Sequence, residues 1–139
     1  MIPNNTIDYS EIDAESTVIP SGSWLMSNDL TRCTEQVSGV DDLRQCIYFM
    51  LSTEQNQFFI YNWDYGIELR DLFGEPHSYV IGELQLRIKD CLLQDDRITD
   101  VTDFEFTENQ NKLHVSFTVN YDIPQYGINK LQYETEVVI

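Results

Sequence analysis

The clearest pattern in the chain lies in its last third, where Leu113, Val115, Phe117, Val119 and Tyr121 alternate with Lys112, His114, Ser116, Thr118 and Asn120. A period of two sends one set of side chains to each face, so this segment predicts a half-buried strand. Upstream, "ITDVTDFEFTE" predicts a partner strand with Phe104 and Phe106 on one face, and "ENQN" supplies the turn residues of a hairpin. After "DIPQYGIN", Leu131, Tyr133, Thr135, Val137 and Ile139 resume the alternation to the last residue, which predicts a strand at the edge of the sheet. The middle of the chain has a helical period. In "SGVDDLRQCIYFMLSTE", Leu43, Cys46, Ile47 and Met50 share one face, while Asp41 and Asp42 suit a helix N-terminus through capping and the macrodipole. A second helix starts with Ser78 as its cap, just after Pro76, and carries Ile81, Leu84, Ile88, Cys91 and Leu92 as one stripe to about Gln94.

Residues 1–37, including "STVIPSGSWLMSNDL", sustain neither period and predict an extended N-terminal arm with one or two short strands. Residues 38–139 then form a single domain. The expected fold class is α+β, with two helices packed on one face of an antiparallel sheet of at least three strands.

Composition narrows the function classes. A chain of 139 residues suits one domain with a real core, and 42% hydrophobic residues is too rich for a disordered chain. The 24 acidic against 8 basic residues give a formal charge of −16. A field of that sign repels phosphate backbones and anionic lipid, so direct nucleic-acid or membrane-surface binding is disfavoured and basic protein partners are favoured. No run reaches the about 18 apolar residues that span a bilayer, and "MIPNNTIDYSEIDAES" lacks a signal-peptide pattern, so a cytoplasmic product is expected. Cys33, Cys46 and Cys91 form no CxxC pair, which supports neither a disulfide framework nor a zinc site. Cys46 and Cys91 are expected as buried free thiols. No cofactor is expected.

The segment "LSTEQNQFFIYNWDYGIELRDLFG", residues 51–74, is dense in aromatic and acidic side chains. Phe59, Tyr61 and Trp63 predict a short strand, Asp64, Tyr65 and Gly66 a turn, and "IELRDLFG" a helical turn. Two readings are open for the aromatics: a packed connector that fills space between the helices, or a docking surface.

The order of a helix closing on "LST", the aromatic segment, "DYGIELRDLFG", the Ser78 helix, "LLQDDRITDVTDFEF" and "KLHVSFTV" resembles the sheath-initiator family of contractile tails, also called lysozyme-like baseplate wedge proteins. These occur in contractile phages, phage-tail-like bacteriocins and related injection systems. The resemblance covers about residues 37–121. It implies a structural baseplate protein that docks on the wedge around the tail tube and nucleates sheath assembly by strand exchange with the first sheath subunits. Sheath protein, baseplate wedge proteins and tail tube are the implied partners, with six copies per particle, first in the bacterial cytoplasm and then in the released particle. In the family a Glu-Pro-Arg motif seats the protein on the wedge; the matching positions are Glu75, Pro76 and His77, and histidine there removes a permanently charged bidentate contact. Tyr65, Gly66, Leu69 and Phe73 shape the segment that presents them. An edge strand can accept main-chain hydrogen bonds from a foreign strand, which makes Tyr133, Glu134, Thr135, Glu136 and Val137 the candidate sheath-strand acceptor. An ordinary sheet strand is the alternative there.

Enzymatic readings find little support. Glycoside hydrolysis needs two carboxylates in different environments, and Glu54, Asp64 and Glu68 have no spacing that singles them out. His114 and Ser116 share one strand face without a third partner, and no phosphate-cradling glycine loop occurs. No catalytic residue is assigned. A rival of another class is an acidic decoy that mimics nucleic acid and blocks a basic host protein; it would need its acids on one continuous face, whereas they are spread along the chain.

Overall fold

The computed structural model describes residues 22–124 and 126–138. It is an α+β fold: a hairpin of β1 (Gly22–Met26) and β2 (Cys33–Ser38), α1 (Val40–Ser52), α2 (His77–Leu92), and a sheet of β3 (Ile98–Asn109), β4 (Lys112–Ile123) and β5 (Gly127–Val138). The larger sheet is antiparallel in the order β3-β4-β5. Both helices cover one face of it. Leu43, Ile47 and Met50 of α1 and Val80, Leu84, Ile88, Cys91 and Leu92 of α2 join Leu113, Val115, Phe117, Val119 and Leu131 of the sheet in one buried cluster. Each such side chain, fully removed from water, is worth about 1.5–3 kcal/mol.

The central strand β4 follows the expected alternation without a break, with every odd-numbered residue from Leu113 to Ile123 buried. Strand β3 keeps an apolar face by a less regular route. Its register against β4 shifts between Ile98 and Asp100 and again between Thr102 and Glu105, where Asp103 adopts a φ of 55°. Each bulge moves the inward face by one residue, so Ile98, Val101, Phe104 and Phe106 all turn to the helix side despite their uneven spacing. Phe104 there lies 5.4 Å from Phe117, ring centre to ring centre. Strand β5 pairs with β4 from Gly127 to Val138 and forms the sheet edge, as its position predicts. Ile139, the last of the alternating residues, lies outside the described residues, as do residues 1–21 of the expected arm.

Two helix starts differ from expectation. Ser78 is not the cap of α2: the helix begins at His77, and the Pro76 carbonyl accepts from Tyr79 and Val80 at 2.9 and 3.0 Å. The fixed φ of proline prepares that first turn, which makes a side-chain cap unnecessary. Val80 rather than Ile81 then heads the fully buried stripe. At the start of α1 neither aspartate makes a capping bond; Gly39 precedes the helix with a φ of 69°. Asp42 points inward instead and is only 5% exposed.

The buried Asp42 organises an ionic cluster. Arg97, just before β3, donates from Nη1 to Asp42 at 2.6 Å and from Nη2 and Nε to Asp95 at 2.7 and 2.9 Å. Ser23 of β1 donates to the other oxygen of Asp42. Gln45 of α1 completes the hairpin's attachment, accepting from the Met26 amide and donating to the Trp24 carbonyl, both at 2.9 Å. Burial alone would raise the Asp95 carboxyl, but the Arg97 hydrogen bonds outweigh it and hold the group below the usual carboxylate range.

The thiols sort by depth. Cys33 is exposed, Cys46 half-buried beside Asp95 and Cys91 buried, all free. Burial pushes the Cys46 thiol up to about 11, helped by the Asp95 charge, and the Cys91 thiol up to about 12.

Two predictions follow from this packing. Arg97→Ala strands the buried Asp42 carboxylate and is expected to cost about 3 kcal/mol in denaturant unfolding at neutral pH. The depressed Asp95 group stabilises the fold above its unfolded value of about 4 and loses that contribution as pH falls through the folded value. Wild type should therefore lose its advantage over Arg97→Ala below about pH 4; an equal gap at all pH values would contradict the assignment. Separately, a thiol reagent at pH 8 should modify Cys33 alone in the native protein, and rapid reaction of Cys46 or Cys91 before unfolding would contradict the burial order.

Candidate assembly interface

The residues between α1 and α2 are built around two backbone anchors. Thr53 and Glu54, at the end of α1, meet Ile67 in a short parallel bridge: the Ile67 amide donates to Thr53 O at 2.9 Å and the Gln55 amide to Ile67 O at 3.1 Å. Gly66 makes this approach possible. Its φ is 95°, and a Cβ there would lie 2.5 Å from the Thr53 carbonyl oxygen, a conformation and a contact that only glycine tolerates. The Glu54 carboxylate then accepts from the amides of Leu69 and Arg70 at 3.1 and 3.2 Å. It caps the 3-10 turn Arg70–Leu72 that follows.

A second clamp holds the same segment on α2. Arg87 donates to the Glu68 carbonyl at 2.8 Å and forks onto both oxygens of Asp71, one of them at 2.7 Å. These bonds keep the Asp71 carboxyl below its ordinary range. The expected helical turn is thus present.

The expected strand through Phe59, Tyr61 and Trp63 is not. Asn56 has a φ of 60°, and the amides of Gln57, Tyr61 and Tyr65 bond to the carbonyls three residues back. Successive turns use the backbone groups that a sheet ladder would need. The packed-connector reading fails with it. Phe59 is 110% exposed and Trp63 79%, and Phe58, Ile60 and Tyr61 are exposed as well. Tyr65 is the aromatic that turns inward, stacked on Tyr61 at 4.4 Å and packed on the core, and burial pushes its phenol up to about 12. An aromatic loop therefore projects from a base fixed by Glu54, Gly66 and Ile67.

Of the other predicted docking residues, Leu69 is half-buried and Phe73 57% exposed. Glu75, Pro76 and His77 are all exposed at the entry to α2. His77 Nδ1 lies 3.2 Å from Glu108 at the far end of β3, which ties this entry to the sheet.

The acceptor residues lie together on β5. Tyr133, Thr135 and Val137 turn to the helix side and Glu134 and Glu136 to the open side. Tyr133 packs on Phe117 at 5.7 Å. Glu136 pairs with Lys112 at 3.0 Å and Glu134 lies 3.8 Å from His114, both on the neighbouring strand. A groove of about 170 Å³ joins the two predicted regions: Leu69 and Phe73 form one wall, Thr135, Glu136 and Val137 the other, and Leu84 and Ile88 lie at its side. Periodicity gave no hint of this meeting, because it depends on where the Arg87 clamp sets the segment.

Of the carboxylates weighed for catalysis, Glu54 is the cap just described, and Asp64 and Glu68 flank the Gly66 turn; His114 faces Glu134. Among the described residues no group of His, Cys, Asp and Glu has a metal-binding arrangement. No helix among them is long and apolar enough to cross a membrane.

A small α+β protein whose exposed surface is an aromatic loop and a sheet edge has the features of an assembly component. Residues 21–122 match the family of contractile injection system sheath initiators, and the chain belongs to that family. It is also similar to the phage-like element PBSX protein XkdS of Bacillus subtilis (strain 168), 34% identical over 121 residues that make up 84% of this chain and 86% of the relative. The protein is therefore a structural component of contractile tails, and interaction with sheath and other tail proteins follows from its family.

Gly66→Val is expected to destabilise the protein by about 3 kcal/mol or more, through strain at positive φ and the clash with Thr53. Thermal unfolding indistinguishable from wild type would refute the role assigned to this glycine.

Proposed function

We propose that this protein docks on the baseplate wedge through the segment 65–77 and starts sheath assembly by accepting a strand from the first sheath subunit along β5. The observation that carries the reading is the β5 edge. Among the described residues, the strand pairs on one side only. Main-chain groups on an unpaired edge can bond to an added strand, and alternate side chains then give specificity. Glu134 and Glu136 discourage pairing with another acidic strand and favour a basic one.

Wedge docking is supported by the exposure of Glu75, Pro76 and His77 beside the rigid Arg87-clamped turn. Trp, Tyr and Phe exposed on residues 58–63 are the residue types that dominate protein interfaces. That loop lies by Gln94 at the end of α2, whereas Glu75, Pro76 and His77 lie at its start, so it offers a second contact surface separate from the motif. The acidic-decoy reading gains nothing from the structure: Asp42, Glu54, Asp71 and Asp95 are engaged in internal bonds rather than gathered on one face.

The test mixes the purified protein with its neighbouring sheath and tube proteins and scores ordered sheath by electron microscopy and co-sedimentation. Sheath growing from one end only when the protein is present is the expected result. Deleting residues 134–139 should reduce sheath recruitment more than it reduces thermal stability. Unimpaired sheath growth from the truncated protein would rule out β5 as acceptor.

A further inference from the structure

We propose that the groove between the docking segment and β5 is the seat for one large apolar side chain of the strand that pairs with β5, so that Leu69 and Phe73 belong to the sheath-acceptor site as well. This inference rests on the strand-acceptor reading above. A strand added to β5 lies about 4.8 Å away, and its helix-side residues stand about 5 Å from Thr135 and Val137. That position is the groove. Its volume is about 170 Å³, and Leu51, Ile67, Leu69, Phe73, Leu84 and Ile88 line it together with the strand. An apolar cavity of about 150 Å³ accommodates a benzene ring, so the space matches one large aliphatic or aromatic side chain. Phe73 and Val138, each 57% exposed, leave the groove open to solvent.

The occupant is thus an extended segment with one large apolar residue on the helix side. Its neighbours in sequence turn to the open side, next to Glu134 and Glu136, where basic residues complement the charge. The site reads a short alternating pattern of basic and apolar residues in the donor strand. Because Leu69 and Phe73 lie on the segment clamped by Glu54 and Arg87, displacement of that segment would also unmake the acceptor. Docking and sheath recruitment therefore share one structural element.

The experiment uses the full chain and purified sheath protein without wedge proteins, so that loss of wedge docking does not enter. Sheath nucleation is compared for wild type, Phe73→Gln, Phe73→Leu and Glu134→Pro, with thermal unfolding of each protein measured alongside; Thr135 bonds to Val115 of β4, so the free edge groups are those of its even-numbered neighbours. The expected result is a loss of at least tenfold in nucleation for Phe73→Gln at unchanged unfolding temperature, near-normal nucleation for Phe73→Leu, and loss for Glu134→Pro. Leu69→Gln, on the same wall of the groove, should repeat the effect if Phe73→Gln proves unstable. Normal nucleation by stable Phe73→Gln or Leu69→Gln together with loss in Glu134→Pro overturns the groove while leaving strand acceptance intact. Normal nucleation in all variants overturns both.

Discussion

The bidentate ionic contact of Arg97 with Asp95, extended to the buried Asp42, is the constraint on which the rest depends. It joins three parts of the chain: the β1–β2 hairpin through Ser23, the first turn of α1 through Asp42, and the link from α2 into β3 through Asp95. A charge pair in a low dielectric gives little net stability over an apolar substitute, yet it is costly to break from one side and demands a single geometry. That geometry sets where α1 lies against the sheet. The end of α1 in turn supplies Thr53 and Glu54, so the base of the aromatic loop inherits its position from the cluster.

Exposed aromatic side chains are a liability unless their base is rigid. In residues 53–71 rigidity comes from polar contacts rather than from burial: the Glu54 cap, the Gly66 turn against Thr53, and the Arg87 fork on Asp71. The loop can then leave Phe59 and Trp63 in solvent without collapsing onto the core. In the proposed docking role this preorganisation lowers the entropy lost on binding, since fewer backbone and side-chain states are given up at the interface.

The fold was largely legible because β4, α1 and α2 obey one period each. The strand pattern of Leu113 to Tyr121 and the stripes on both helices survive as buried faces. What escaped were features that depend on contacts between distant residues. Asp42 reads as a helix-start acid, and its burial follows from Arg97 lying 55 residues away. Phe59, Tyr61 and Trp63 alternate as a strand would, but among the described residues no partner strand lies beside them and turns take their backbone bonds. Ser78 looks like a cap, but Pro76 takes that place and the helix starts two residues earlier. The candidate docking residues came from family order and the acceptor strand from its alternation and edge position, while the meeting of Leu69 and Phe73 with Thr135, Glu136 and Val137 at one groove needed the structure.

Charge adds a last constraint on how such a protein would work. At a formal −16, copies repel one another at any distance shorter than the screening length, about 8 Å at physiological salt. An unpaired β5 edge would otherwise invite two copies to pair edge to edge, and Glu134 and Glu136 would then face like charges. Self-association is disfavoured both by the overall field and at the edge itself. A basic donor strand meets neither penalty. In the proposed role, the same acids that keep free copies apart leave the edge available until a sheath subunit of opposite local charge arrives, so that assembly starts on the baseplate template rather than in solution.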